Sequence, residues 1–158
     1  MAHPVDVTTP SDRQIRVTRG FDAPRTLIFD CHTRPELVKR WLLGPPGWTM
    51  PVCEIDLRVG GHYRYVWRND ENGREFTIGG EHREIVAPAR IVTLERFEED
   101  EALCTLTLTE HDGRTTLTQT MEFATRELRD KALQTGMTDG MAISYDRLEA
   151  LAEEVAGV

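Results

Sequence analysis

The segment Trp41-Leu-Leu-Gly-Pro-Pro-Gly-Trp-Thr49 marks the point where the chain changes from a helical pattern to a strand pattern. Before it, Leu37, Val38 and Trp41 recur at the spacing of one helix face. Gly44-Pro-Pro-Gly47 ends that helix, because proline cannot continue a helix and glycine readily adopts the turn that closes one. After Thr49 apolar and polar residues alternate, which is typical of strands with one buried face.

Outward from this corner, the pattern predicts one strand, two short helices in tandem, six further strands and a terminal helix. The predicted strands span residues 13–21, 49–59, 62–69, 75–87, 91–98, 102–110 and 115–123. The two short helices begin near Asp22-Ala-Pro24, where Asp22 can cap the first turn, and an apolar stripe at helical spacing predicts a helix from Thr125 to Val155. Gly60-Gly61 predicts a two-residue hairpin, while Gly79-Gly80 inside a strand predicts a bulge, a bend or a close approach.

The size and charge of the chain restrict its class. Its 158 residues fit one domain, which we expect over residues 13–158 after a flexible lead-in at 1–12. The net charge of -8 and the pI near 5.1 argue against nucleic acid or an anionic membrane surface as partners. No long apolar run predicts a membrane span. We expect a cytoplasmic protein, either a monomer or a homodimer.

The cysteines and histidines predict neither a disulfide framework nor a metal site. Cys31, Cys53 and Cys104 are odd in number and widely spaced, which favours reduced, buried thiols. The five histidines lack the short spacings that metal ligands adopt. Gly60-Gly61 joins strand to strand, so it is not a phosphate loop. We therefore predict no metal and no cofactor.

Three aromatic residues on one strand are the leading candidates for a binding site. Tyr63, Tyr65 and Trp67 share a face, since strand side chains alternate with a period of two. If that face is concave, the rings line a cavity suited to a mostly apolar ligand. The other interpretation is that they fill the core beneath the terminal helix. Their expected neighbours in the cavity are Trp48, His82, Phe97, Met137, Met141 and Tyr145.

Two polar residues near these rings allow other roles. His82 lies beside Glu81 and Glu84, and a histidine with a carboxylate in a pocket can act as a general base. The alternative is a structural or surface histidine, since no nucleophile elbow accompanies it. Glu95, if it points inward and pairs with Arg64 or Arg83, would be a buried polar anchor.

Short segments spread along the chain carry a family resemblance: Phe21-Asp-Ala-Pro24, Thr33-Arg-Pro-Glu-Leu-Val-Lys-Arg-Trp41, Gly44-Pro-Pro-Gly-Trp-Thr49, Asp56-Leu-Arg-Val-Gly-Gly61, Glu81-His-Arg-Glu-Ile-Val-Ala-Pro88, Gly113-Arg114 with Thr118, and Thr135-Gly-Met137 with Gly140-Met141. With the order of the elements, they resemble the START-like (SRPBCC) helix-grip superfamily. Within it, the chain is similar to bacterial single-domain relatives of the activators of the ninety-kilodalton heat-shock chaperone ATPase. Members of that family often carry two tryptophans where this chain has Trp41-Leu42.

The resemblance implies an α+β fold in which a curved antiparallel sheet of about seven strands is covered on its concave face by the long C-terminal helix. Three functional hypotheses remain. The first is non-enzymatic binding of a small hydrophobic molecule in the cavity between sheet and helix. The second is an interaction module that stimulates a heat-shock chaperone ATPase. The third is a cyclase- or hydrolase-type enzyme that uses His82.

Overall fold

The computed structural model describes residues 4–156 as one antiparallel sheet with four helices. The strands are β1 (Asp6–Thr8), β2 (Gln14–Phe21), β3 (Trp48–Ile55), β4 (His62–Asn69), β5 (Glu75–Val86), β6 (Arg90–Phe97), β7 (Asp100–His111) and β8 (Arg114–Phe123). The helices are α1 (Arg25–Thr33), α2 (Pro35–Trp41), α3 (Arg126–Gln134) and α4 (Met137–Val155).

The order of strands across the sheet is β1-β2-β8-β7-β6-β5-β4-β3. Strands β3 to β8 form a meander, and β2 returns to pair with β8. A twisted sheet of this length curls, and its concave face needs a cover of helices. The predicted α+β class and the helix-grip arrangement are confirmed.

The sheet has eight strands where about seven are predicted. The extra strand, β1, falls inside residues 1–12 and pairs with β2 through Val7 and Val17. Three residues are too few to display a period of two, so the sequence pattern does not reveal this strand. Residues 1–3 of the predicted lead-in lie outside the described part of the chain, as do residues 157 and 158 of the predicted domain.

The helical C-terminal segment is interrupted. The Thr125 hydroxyl accepts a hydrogen bond from the backbone N–H of Leu128 at 3.1 Å and caps α3 as predicted. The predicted helical segment from Thr125 to Val155 is divided in two at one of its glycines, because Gly136 has φ of 80° and separates α3 from α4. A side chain is strained in this left-handed conformation, so a glycine here allows the chain to change direction.

One further local prediction differs from the structure. The connection between β3 and β4 spans residues 56–61 and is not a two-residue hairpin. Gly60 N–H donates to the carbonyl of His82 at 2.8 Å, so this loop is tied to β5 as well. At the start of α1, Pro24 occupies the N-cap position without a side-chain cap, and Glu110 Oε1 accepts from Arg25 N–H at 2.8 Å.

The main hydrophobic core lies between the sheet and helices α1, α2 and α4. From the second half of α4, Leu148, Leu151 and Ala152 are buried against residues of β2, β7 and β8. A smaller cluster of Val38, Met50 and Trp67 lies towards β3 and β4. The first half of α4 borders the space between these two clusters.

Candidate ligand-binding cavity

A cavity of about 540 Å³ lies between the concave face of the sheet and the first half of α4. This volume falls within the roughly 300–1,000 Å³ of typical small-molecule sites. The sheet contributes Trp48, Ile55, Tyr63, Tyr65, Trp67, Phe76, Ile78, His82, Ile91, Thr93, Glu95, Cys104, Leu106, Gln119 and Met121. The helices and their connections contribute His32, Thr33, Trp41, Leu42, Leu43, Gly44, Pro45, Thr135, Gly136, Met137, Gly140, Met141, Ser144 and Tyr145.

Strand register builds the wall of the cavity. Gly80 lies opposite Tyr63 on one side and Glu95 on the other, so these three form one row across β4, β5 and β6. His82, Thr93 and Cys104 form the next row, across β5, β6 and β7. Because side chains alternate, Tyr65 and Trp67 face inward with Tyr63. The predicted shared face is therefore the concave one.

Gly80 makes room for Tyr63. A Cβ atom at this position would lie 2.6 Å from the Tyr63 hydroxyl and 2.7 Å from Tyr63 Cε1, and it would also overlap the carbonyl oxygen of Leu94. The sequence left a bulge, a bend or a close approach open for Gly79-Gly80, and the close approach applies to Gly80. The bulge of β5 lies further along, between His82 and Glu84.

The opposite wall comes from α4 and the corner after α2. Met137, Met141 and Tyr145 follow one another at steps of four and so lie on one face of the helix. The Gly44 corner is held against this helix by two hydrogen bonds: its N–H donates to Ser144 Oγ at 2.9 Å, and its carbonyl accepts from Arg147 Nη1 at 2.6 Å. The Pro/Gly corner therefore forms a fixed part of the wall.

Eight of the nine predicted site residues line the cavity: Trp48, Tyr63, Tyr65, Trp67, His82, Met137, Met141 and Tyr145. Phe97 does not line it, which corrects the prediction. By strand alternation Phe97 falls on the same face of β6 as Thr93 and Glu95, but it is the last residue of that strand and is 41% exposed. Its ring meets Phe76 edge-on with ring centroids 6.2 Å apart. The sheet has passed the cavity at this point.

His82 is a buried wall residue that pairs with neither Glu81 nor Glu84. Its Nδ1 lies 3.2 Å from the carbonyl oxygen of Gly61, and burial lowers the pKa of its imidazole while nearby backbone carbonyls oppose that shift. Glu81 and Glu84 pair instead with Arg83 at 3.7 Å and Arg90 at 3.3 Å. The histidine–carboxylate pair on which the enzyme hypothesis depends is therefore not formed with either neighbouring glutamate.

His32 lines the cavity although its sequence context does not indicate it. Its Nδ1 lies 2.8 Å from the Ile28 carbonyl oxygen, and its ring packs on Trp41 with centroids 4.8 Å apart. Burial lowers the pKa of His32 from 6.5 to about 4. The imidazole is consequently neutral at physiological pH and brings no positive charge to the cavity.

Glu95 points into the cavity from β6, but the predicted pairing with Arg64 or Arg83 does not occur. Arg64 binds Glu54 at 3.6 Å and Arg83 binds Glu81 at 3.7 Å. The alternation that turns Tyr63 and Tyr65 inward also turns Arg64 outward. Within residues 4–156 the Glu95 carboxylate accepts no hydrogen bond and forms no ion pair.

Burial alone raises the pKa of Glu95 from 4.5 to about 7. Burial also raises the pKa of the Tyr63 and Tyr65 phenols, and the negative charge of Glu95 adds to both shifts. These three side chains thus share one poorly solvated region. The alternation Ile91, Thr93, Glu95 was the available sequence signal for an inward Glu95.

Several lining residues have no distinctive sequence signal. Phe76, Ile78, Gln119 and Met121 sit in ordinary strand patterns on two strands, β5 and β8. The curvature of the sheet brings them to one cavity, and strand alternation does not report curvature. Leu42 shares this property, since its carbonyl accepts the Trp67 Nε1–H at 2.7 Å across a long sequence separation.

Within the described residues, no cluster of three or more His, Cys, Asp or Glu side chains is arranged to hold a metal ion. No described helix is both long and apolar enough to cross a membrane. All three cysteines are free, with Cys31 and Cys104 buried and Cys53 half-buried.

The curved sheet, the gripping helix and the hollow between them define a START-like helix-grip protein. A model of the family described as Activator of Hsp90 ATPase homolog 1-like protein matches residues 22–153, so the chain belongs to that family. No curated protein sequence matches this chain significantly.

Solved structures of bacterial proteins are similar to this chain. A protein from Rhodobacter sphaeroides is 28% identical with a TM-score of 0.87, covering 94% of this chain and 97% of its own. Protein Ms6760 from Mycobacterium smegmatis is 26% identical with a TM-score of 0.85, covering 96% and 99%. An AHSA1-like protein from Aeromonas hydrophila is 17% identical with a TM-score of 0.72, covering 85% and 92%, and this likeness concerns the fold alone.

Proposed function

We propose that this protein binds a small, mostly apolar molecule in the cavity between sheet and helix and performs no chemistry on it. The observation that carries the proposal is an interior volume of about 540 Å³ with walls made chiefly of aromatic and aliphatic side chains. Protein interiors are close-packed, with few voids larger than one water molecule. A pocket of this size with apolar walls therefore favours a ligand that replaces its water.

The walls suit a ligand with a flat apolar body. Tyr63, Tyr65 and Trp67 present neighbouring rings with centroids 5.2 Å and 5.7 Å apart. Met137 and Met141 face them from α4, and flexible methionines adapt to irregular shapes. The Trp67 and Trp41 indole N–H groups are already satisfied by backbone carbonyls, so they contribute apolar surface.

Titration with N-phenyl-1-naphthylamine, a neutral dye whose fluorescence rises in apolar surroundings, tests this proposal. We expect saturable binding with one site per chain. Tyr65→Ala and Met141→Ala should each weaken binding about tenfold, because each removes apolar contacts with the dye worth roughly 1.4 kcal/mol. Ile143→Ala is the matched control, because Ile143 lies on the same helix outside the cavity and is 36% exposed. Non-saturable binding by the unaltered protein would contradict the proposal.

A cavity-filling variant gives a second test that does not depend on losing contacts. Gly140 lines the cavity, and a Cβ atom there would come no nearer than 3.8 Å to Pro45. Gly140→Leu should therefore place its side chain in the hollow and abolish dye binding while the protein stays folded. A folded Gly140→Leu protein with unchanged affinity would place the dye outside the cavity.

Family membership favours a second candidate, an interaction module that stimulates a heat-shock chaperone ATPase. The test is the ATPase rate of a bacterial ninety-kilodalton heat-shock chaperone with and without this protein. A saturable rise in rate supports this role, and no change at excess protein removes it. The ATPase assay and the dye titration are separate tests, one of each candidate function.

A further inference from the structure

We propose, on the basis of the binding function above, that the cavity selects apolar ligands carrying a protonated amine. In this arrangement the Glu95 carboxylate and the faces of Tyr63 and Tyr65 receive the ammonium group. The inference concerns the chemical class of the ligand, and it rests on the charge, position and neighbours of Glu95.

The charge of the cavity has one sign. Within residues 4–156, Glu95 is the one acidic side chain that lines the cavity, and no Lys or Arg lines it. An anionic ligand would have to leave water, approach a carboxylate and find no cation in return, which is a strongly unfavourable combination. An ammonium group instead supplies the counter-charge that the protein leaves out.

The position of Glu95 leaves its carboxylate open to a ligand. Its direct neighbours across the sheet are Gly80 and Ala102, the two smallest residue types. Neither can reach over the carboxylate, while Tyr63 fills the space beside Gly80. The sheet therefore presents the carboxylate in a gap between small residues with an aromatic ring at its edge.

The aromatic neighbours favour a cation over a neutral group. The Tyr63 and Tyr65 rings lie 5.2 Å apart and are inclined by 42°, so they form two sides of a partial cage. Aromatic faces attract ammonium groups, most strongly where water is excluded. A carboxylate beside tilted aromatic rings is a combination that neutral alcohols exploit less well than amines.

Other titratable groups of the cavity do not compete for this role. They are Tyr63 and Tyr65 from β4, His82 from β5, Cys104 from β7, His32 from α1 and Tyr145 from α4. Burial raises the pKa of each phenol and of the Cys104 thiol and lowers the pKa of both histidines. Each therefore stays neutral near pH 8, where Glu95 ionises.

Three ligands with one naphthalene body test the inference by isothermal calorimetry at pH 8: 2-(2-naphthyl)ethylamine, 2-(2-naphthyl)ethanol and 2-naphthylacetic acid. We expect the amine to bind at least about tenfold more tightly than the alcohol, and the acid at least about tenfold more weakly. Glu95→Gln should bring the amine and the alcohol to within about threefold of each other. Glu153→Gln, an exposed glutamate of α4, makes the same change in net charge and should leave the tenfold preference intact.

The pH dependence of the unaltered protein provides a measurement that needs no variant. The affinity of the amine should fall about tenfold from pH 8 to pH 6 as Glu95 takes up a proton, while the affinity of the alcohol should hardly change. Equal binding of amine and alcohol, or an amine preference that survives Glu95→Gln, would overturn the inference and leave the proposed function standing. Failure of all three compounds to bind would overturn both.

Discussion

The two halves of α4 cover two different kinds of interior. The second half packs Leu148, Leu151 and Ala152 into a filled core, whereas the first half places Met137 and Met141 beside a hollow. A charged side chain lies at each interior, Arg19 in the filled half and Glu95 in the hollow half. The two differ in whether neighbouring side chains supply a counter-charge.

Arg19 is 2% exposed and receives its counter-charge from the protein itself. Its Nη2 lies 2.9 Å from Glu149 Oε2 and 3.4 Å from Asp146 Oδ1, both on α4. Its guanidinium carbon also lies 4.9 Å from the centre of the Phe21 ring. Two of its nitrogens, Nε and Nη1, remain without a partner among the described residues.

Glu95 receives no such counter-charge from residues 4–156. The difference shows that this fold can pair an interior charge when the charge serves to attach α4 to the sheet. Where the interior is hollow, the fold leaves the charge open. An unpaired charge beside empty volume therefore indicates a binding role more strongly than a paired charge in a packed core does.

The largest effect is expected where the packed half loses its charge. Arg19→Met keeps the length of the side chain but leaves Glu149 without its partner, and it should lower the free energy of unfolding by about 3 kcal/mol. Arg40→Met is the matched control, because the Arg40–Glu154 pair is exposed and should be worth less than about 1 kcal/mol. Urea unfolding at pH 7 measures both. Equal losses for the two variants would show that the burial of Arg19 has no energetic consequence.

In the hollow half, removing the charge of Glu95 is expected to raise the free energy of unfolding. Because the pKa of Glu95 is about 7 when folded and near 4.5 otherwise, ionisation favours the unfolded chain as the pH rises through this range. Glu95→Gln should therefore stabilise the ligand-free protein by about 3 kcal/mol at pH 8 and by almost nothing at pH 4. Urea unfolding at the two pH values checks this, with Glu153→Gln as the neutral control. A loss of stability at pH 8 would mean that the charge has a partner after all.

A smaller effect tests whether the wall of the hollow is itself well packed. Gly80→Ala would force a Cβ atom against Tyr63 and the Leu94 carbonyl, and should cost about 2 kcal/mol. Gly140→Ala meets no atom closer than 3.8 Å and should gain up to about 1 kcal/mol from its helical propensity. Thermal unfolding distinguishes the two. A tolerated Gly80→Ala would indicate that the Tyr63 ring is free to move.

The smallest effect is expected in the pH dependence of the unfolding free energy, where the contributions of two cavity residues, His32 and Glu95, oppose each other. The pKa of His32 is about 4 when folded and 6.5 otherwise, so its contribution makes stability rise with pH between these values. Glu95 makes stability fall between about 4.5 and 7, and the two slopes, each at most about 1.4 kcal/mol per pH unit, nearly cancel in the unaltered protein.

Removing either group should reveal the other. Glu95→Gln should give a stability that rises from pH 4.5 to 6.5, and His32→Phe should give one that falls over the same range. Unfolding free energies at half-unit pH steps measure both slopes. Parallel curves for the two variants would contradict the assignment of these pKa values.

Strand alternation predicted much of the fold and most of the site. It placed seven of the strands to within a few residues and turned Tyr63, Tyr65 and Trp67 to one face. It failed where its signal is short or depends on distant parts of the chain. β1 is too brief to show a period, the break at Gly136 lies inside an otherwise regular helical stripe, and Phe97 has the right parity but lies beyond the end of the cavity.

By itself the sequence determined the order of the elements, the acidic character of the chain and the rings that share a face, because each of these depends on neighbours along the chain. Tertiary structure alone decided that the first half of α4 stands away from the sheet and that no Lys or Arg among residues 4–156 lines the cavity beside Glu95. Both depend on how far the sheet curves and where α4 crosses it. Such distances between remote elements arise from the packing of the whole domain, which no local pattern records.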